Sequence, residues 1–199
     1  MDNYRSEYIP DYDSQSQEGK RGGVRRFFMD LLETLVLSLF LFLAINAVSA
    51  RIRVESISMQ PTLFSGDFII VNKLAYRLGE PGRGDIIIFH YPPDPNREPY
   101  IKRVIGLPGE TVRVSGGRVY VNDIPLDEPY ISAPPNYEGT YEVPEDALFM
   151  LGDNRNSSSD SHSWGVVPLD NVIGKAEVVY WPPTDWQLLN QATAAAAEP

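Results

Sequence analysis

Apolar and polar positions are distributed unevenly, and the first contrast lies near the start of the chain. Residues 1–24 are rich in Asp, Glu, Ser, Gln and Gly and hold little that a core could bury, the pattern of a disordered tail. From Phe27 to Ala50 the chain turns apolar, and an uncharged run extends from Thr34 to Ala50. As a helix that run spans about 25 Å, the short end of a membrane crossing. Leu31 and Leu32 lengthen it, with Asp30 and Glu33 near the interface. The pattern predicts one transmembrane helix over residues 25–50. Lys20, Arg21, Arg25 and Arg26 precede the helix and Arg51 and Arg53 follow it. The excess of positive residues on the leading side predicts a cytoplasmic N-terminus and an extracytoplasmic remainder. Val48-Ser49-Ala50 places small residues where a leader cleavage site wants them, which makes Ala50 a candidate cut site, for self-cleavage included.

After residue 50 no amphipathic helix stands out, and the spacing becomes that of strands. Asp67–Asn72, Gly84–His90 and Tyr100–Ile105 read as strands with buried middles. Thr111–Val114 and Arg118–Val121 alternate on either side of Ser115-Gly116-Gly117, a hairpin signature. Ala147–Leu151 and Lys175–Trp181 complete the set. The proline-rich intervals 92–99 and 125–144 read as loops or extended excursions. Ile52, Val54 and Ile57 read as a first core strand, with an apolar lip against lipid as the alternative. The expected fold is mainly β: an antiparallel barrel or pair of sheets over residues 51–190, then a loose tail over 191–199.

Composition narrows the chemistry. A net charge of −10 argues against a nucleic-acid partner. The absence of cysteine excludes disulfides, thiolate zinc sites and a cysteine nucleophile.

Two segments stand out as candidate chemistry. In Ser58-Met59-Gln60-Pro61-Thr62-Leu63, Pro61 fixes its own φ and restricts Gln60, so the turn is preset around Ser58. A serine hydroxyl needs a base to take its proton. Lys102, among Ile101, Val104 and Ile105, is such a base if burial lowers its pKa. Alternation groups Tyr100, Lys102 and Val104 on one face and Ile101, Arg103 and Ile105 on the other, so the pattern leaves Lys102 either buried or on a solvent face. A third segment, Leu151–Gly165, is dense in short polar side chains between apolar flanks. It reads as a hydrogen-bond network supporting a base, or as a solvated loop. Rival readings are a Ser–His–Asp hydrolase built from Ser58, His162 and Asp160, and a tethered β-domain that binds partners through tyrosine- and proline-rich loops. A self-cleaving Ser–Lys repressor is a further rival. It needs a helical DNA-binding domain, which residues 1–24 do not supply.

Four motifs occur in order after the apolar segment: Ser58–Leu63, Arg83–Phe89, Tyr100–Glu110 and Gly152–Gly165. Together they span most of residues 56–165, and in this order the chain resembles the bacterial type I signal peptidases. The resemblance implies a membrane-anchored endopeptidase that removes N-terminal signal peptides from exported preproteins at the surface of the plasma membrane. It implies two antiparallel sheets with SH3-like barrel character. By resemblance Ser58 is the nucleophile and Lys102 the general base. Ser56 supplies a hydroxyl that completes an oxyanion hole with the Ser58 N–H, and Ser158 orients the lysine. Asp153, Arg155 and Asp160 form the polar framework. Shallow pockets for small side chains are implied, and no metal or cofactor. The implied partners are preprotein signal peptides and membrane lipids. One departure is visible: His162 stands where the family usually has arginine, which makes the framework more pH-sensitive.

Overall fold

The structure, a computed structural model, describes residues 14–189. It divides into two units, one up to Asn46 and one from Ala47 onward. The first is α1, Ser14–Val48. Within Gly23–Val48 its apolar 18-residue window has a mean hydropathy of 2.2 and no buried residue, so by length and composition it suffices to cross a membrane. Two expected boundaries move. The helix starts at Ser14, inside the stretch expected to be disordered; Gln15, Glu18, Lys20 and Arg21 are good helix formers, and extending an existing helix needs no new nucleus. It ends at Val48, because Ser49 and Ala50 are claimed by a strand that pairs with Asn72 and Val71. The candidate cut after Ala50 therefore sits inside a hydrogen-bonded ladder. Residues 1–13 and the expected loose tail 191–199 lie outside the described residues.

The second unit is mainly β. In chain order it contains β1 (Ser49–Arg53), β2 (Phe68–Asn72), α2 (Ala75–Leu78), β3 (Ile86–Phe89), β4 (Tyr100–Gly106), β5 (Thr111–Ser115) and β6 (Arg118–Val121). There follow β7 (Ile124–Pro125), β8 (Gly139–Glu142), β9 (Ala147–Leu151), α3 (Ser161–Trp164), β10 (Val167–Pro168), β11 (Val172–Trp181) and β12 (Gln187–Leu188). The larger sheet is antiparallel in the order β1-β2-β11-β3-β4-β9-β10, with β12 on β11, and it curls into a half-barrel. A second sheet, β7-β6-β5-β8, is the expected hairpin with a strand added on each side. β8 falls in a proline-rich interval that the pattern assigned to loops and excursions; its four residues pair fully with β5. The helices α2 and α3, four residues each, are too short to leave a helical period in the sequence.

Three clusters of buried side chains hold the unit together. Met59, Leu63, Ile69, Val71, Ile86 and Ile88 belong to the first, against which Ile52 also packs. Val54 is buried with them just beyond the end of β1, while Ile57 is exposed, so the first-strand reading holds for Ile52, and Val54 joins the core from the segment that follows. Val112, Val114, Val119, Phe149 and Leu151 join the two sheets. There Gly106 permits the close approach, since a Cβ would lie 2.5 Å from Val112 Cγ2. Ile87, Phe89, Val104 and Met150 form the third cluster. Burying each such side chain contributes roughly 1.5–3 kcal/mol. For the site, what matters is that Met59 and Leu63 are both fully buried, one on each side of the Gln60-Pro61-Thr62 turn. Leu63 N–H donates to Met59 O at 2.8 Å and Val54 N–H to Asp67 O at 2.8 Å, so core packing and backbone bonds brace the segment that carries Ser58.

Candidate active site

Ser58 and Lys102 meet. Lys102 Nζ lies 2.7 Å from Ser58 Oγ, and its other polar partner is Ile101 O at 2.9 Å. The lysine side of β4 is more covered than alternation suggested: Lys102 is only 3 % exposed, and every β4 residue from Lys102 to Gly106 is buried. The pairing with β9 ends at Arg103↔Leu151, so Lys102 is the first residue beyond that ladder, where the Ser58 turn takes the place of a neighbouring strand. Burial pushes the ammonium group down from its ordinary 10.5 to about 8, against the pull of the Asp160 and Asp153 charges. Ser56 Oγ lies 3.1 Å from Ser58 Oγ, on the exposed side of the pair.

Around the pair the Gly152–Gly165 segment forms a polar framework. Asn154 N–H donates to Ser58 O at 3.0 Å and its side-chain amide to Ile57 O at 3.2 Å. Asp153 is fully buried and accepts from Arg103 Nε at 2.8 Å, Arg103 Nη2 at 2.7 Å and Thr62 Oγ1 at 2.5 Å. Arg155 donates to both oxygens of Glu128, at 2.8 and 2.6 Å, and to Gly152 O at 3.1 Å. Asp160 caps α3, accepts Gly152 N–H at 2.9 Å and meets His162 Nδ1 at 2.6 Å. Gly152 has no room for a side chain: a Cβ would stand 2.5 Å from Ser58 O and overlap Ser158 Oγ.

Not every expected contact forms. Ser158 Oγ is buried against Gly152 and has no hydrogen-bond partner among the described residues, so the bond to Lys102 implied by the resemblance is not made. Both Ser158 Oγ and the nucleophile's carbonyl crowd the position that a side chain at Gly152 would fill. His162 lies against Asp160 and stacks on Tyr137, while Ser58 pairs with Lys102 and Ser56, which removes the basis of the Ser–His–Asp reading. Asn154, Arg103, Thr62 and Glu128 are site residues that sequence reasoning missed. Asn154, Arg103 and Thr62 stood in marked motifs without an assigned role, and nothing in the sequence joined Glu128 to the site.

A cleft of about 800 Å³ opens onto the pair, lined by β1, the Val54–Ser58 segment, Glu98–Lys102, Ser157 and Ser159. β1 is a terminal strand of its sheet, and its Arg51, Ile52 and Arg53 line this cleft.

Comparison with known proteins settles the family. Residues 28–181 match the family described as signal peptidase, peptidase S26. The chain belongs to the signal peptidase family. A signal peptidase I from Leptolyngbya laminosa is 50 % identical over 163 residues, covering 77 % of this chain and 80 % of that protein. A probable signal peptidase I-2 from a Synechocystis strain is 44 % identical over 175 residues, covering 84 % and 80 %. The crystal structure of a signal peptidase I from Enterococcus faecalis aligns with a TM-score of 0.45 at 34 % identity, over 49 % of this chain and 97 % of that one. Membership makes the chain a peptidase, and the reaction of signal peptidases is removal of signal peptides from preproteins. The non-enzymatic reading of the β-domain falls with it.

Proposed function

We propose that this signal peptidase cleaves with a serine nucleophile and a neutral lysine base, at the membrane surface. One observation carries the reading: the 2.7 Å contact between Ser58 Oγ and an amine that burial has stripped of water and left without a carboxylate partner among the described residues. Neutral Lys102 takes the Ser58 proton as Oγ attacks the scissile carbonyl. The oxyanion is held by the Ser58 N–H and the Ser56 hydroxyl, where losing one donor typically costs about 10²–10³ in rate. Protonated Lys102 then gives its proton to the leaving amine. Water attacks the acyl-enzyme with Lys102 again as base.

The signal peptide's end enters the cleft extended and adds to the outer edge of β1, a common mode of peptide recognition. α1 anchors the enzyme in the plasma membrane with a cytoplasmic N-terminus. The chain from Val48 to Ser58 reaches at most about 35 Å, which keeps the site near the bilayer. Sharing the membrane with its substrate raises their effective concentration. Signal peptides of preproteins and lipids are the partners.

The test uses full-length protein in detergent micelles and a synthetic preprotein. Cleavage after a small residue that disappears in both Ser58→Ala and Lys102→Ala supports the reading. Cleavage that survives Lys102→Ala contradicts it.

A further inference from the structure

His162 is tied into the site but takes no step in the chemistry above. Its Nδ1 lies 2.6 Å from Asp160 Oδ1, and its ring stacks on Tyr137 at 4.0 Å between centroids with planes 12° apart. Asp160 is fully buried, while the imidazole keeps 21 % of its surface exposed, so the ring is the carboxylate's route to solvent protons. The other carboxylate oxygen accepts Gly152 N–H at 2.9 Å, and Gly152 lies directly against Ser58 O. Asp160's charge also favours the protonated form of Lys102, opposing burial. A single carboxylate thus touches an exposed ring, fixes the backbone beside the nucleophile and acts on the base.

We propose that His162 is a positioning residue of the dyad: by gaining or losing a proton against Asp160 it sets how much of that charge is felt at Lys102 and how the Gly152 backbone is held beside Ser58. The inference rests on Lys102 being the general base. The groups that face the ring are Asp160 from its own segment, Tyr137 from the loop before β8, and Tyr141 of β8, whose hydroxyl donates to His162 O at 3.3 Å. Burial raises the pKa of both tyrosines, so they stay neutral near pH 7. Beyond Tyr137, Arg155 is bound to Glu128 at 2.6 Å. Facing Asp160 from β4 is Lys102. Lys102, depressed by burial, is therefore the base on which a charge at the ring acts through Asp160. An imidazolium offsets Asp160 and lets Lys102 release its proton more readily. A neutral ring leaves the carboxylate unopposed, and Lys102 holds its proton longer.

Two measurements on the full-length protein in micelles test this. The first is kcat/KM against pH for His162→Arg and His162→Gln. The acid limb should lie lower in the arginine variant, by about half a pH unit or more. Coincident limbs overturn the proposal. The second needs no His162 variant and no activity. The chain has two histidines, His90 and His162, so the ring signals of labelled protein can be followed separately by NMR. Coupling is reciprocal. Lys102→Met removes a positive charge and should raise the His162 midpoint by a similar amount while leaving His90 in place. An unmoved His162 midpoint overturns the proposal whether or not the dyad is catalytic. A Lys102→Met protein that still cleaves contradicts the serine–lysine mechanism instead.

Discussion

Lys102 and Arg103 are neighbours on β4, both cationic by type and both buried, yet the fold treats them oppositely. Arg103 donates to both oxygens of Asp153, at 2.8 and 2.7 Å, and to the Gly84 carbonyl at 2.9 Å, and lies over the face of Tyr130 at 4.0 Å. Lys102 donates to a serine hydroxyl and one backbone carbonyl, and no carboxylate lies within ion-pair distance among the described residues. The difference follows from what each group does when desolvated. A guanidinium does not give up its proton in a protein, so its burial demands a counter-ion. An ammonium group can escape the cost by becoming neutral, and leaving it unpaired lowers its pKa towards that escape. The neighbouring residues thus divide the work: the paired cation holds the frame, and the unpaired one becomes a base.

The sharpest way to break this contrast is Lys102→Arg, which puts a permanent charge where the account requires a neutral group. Hydrolysis of a synthetic preprotein should fall by about 10⁴ or more, the upper end of general-base effects. Next is Asp153→Ala, which strands Arg103 as an uncompensated buried charge and should cost about 3–5 kcal/mol in denaturant unfolding. A loss under about 1 kcal/mol would mean that the pair does not hold the frame.

Lys102→Met should act in the other direction and stabilise the fold at pH 7, by an amount of order 2 kcal/mol. Below about pH 8 the lysine is charged in both folded and unfolded chains, and the folded state bears the whole cost of burying it. Between about 8 and 10.5 the folded chain has released the proton and the unfolded chain has not, so wild-type stability rises with pH. The advantage of the methionine variant should therefore be full below pH 8 and shrink to nothing by about 10.5. The smallest effect belongs to Thr62→Val, which removes one 2.5 Å hydrogen bond to Asp153 and should cost about 1 kcal/mol in the same unfolding experiment.

How much of this was legible in the sequence depends on whether a feature is local. The hairpin at Thr111–Val121 could be read because one face of it is buried and alternation survives. On β4 both sides are covered from Lys102 onward, the contrast between faces vanishes, and alternation alone left the lysine's burial open. Ser58 was singled out by the turn that Pro61 presets and Lys102 by its apolar neighbours, with resemblance adding their roles; periodicity identified neither. The Arg103–Asp153 pair joins residues 50 positions apart and exists only because β4 and β9 are paired, so nothing local announces it. The Asp160–His162 contact is the reverse case. Two positions apart at a helix cap, it was within reach of spacing arguments. Ser158 carries its role by resemblance alone: its Oγ is buried and makes no hydrogen bond among the described residues.

The account stands on the protonation of a single amine, which can be observed directly. In full-length protein labelled at lysine Cε, the Lys102 signal should be identified by its loss in Lys102→Met and followed across pH by NMR. A midpoint near 8 is the predicted result. A midpoint at or above the ordinary 10.5 would show a lysine that is charged throughout the working range and unable to take the serine's proton.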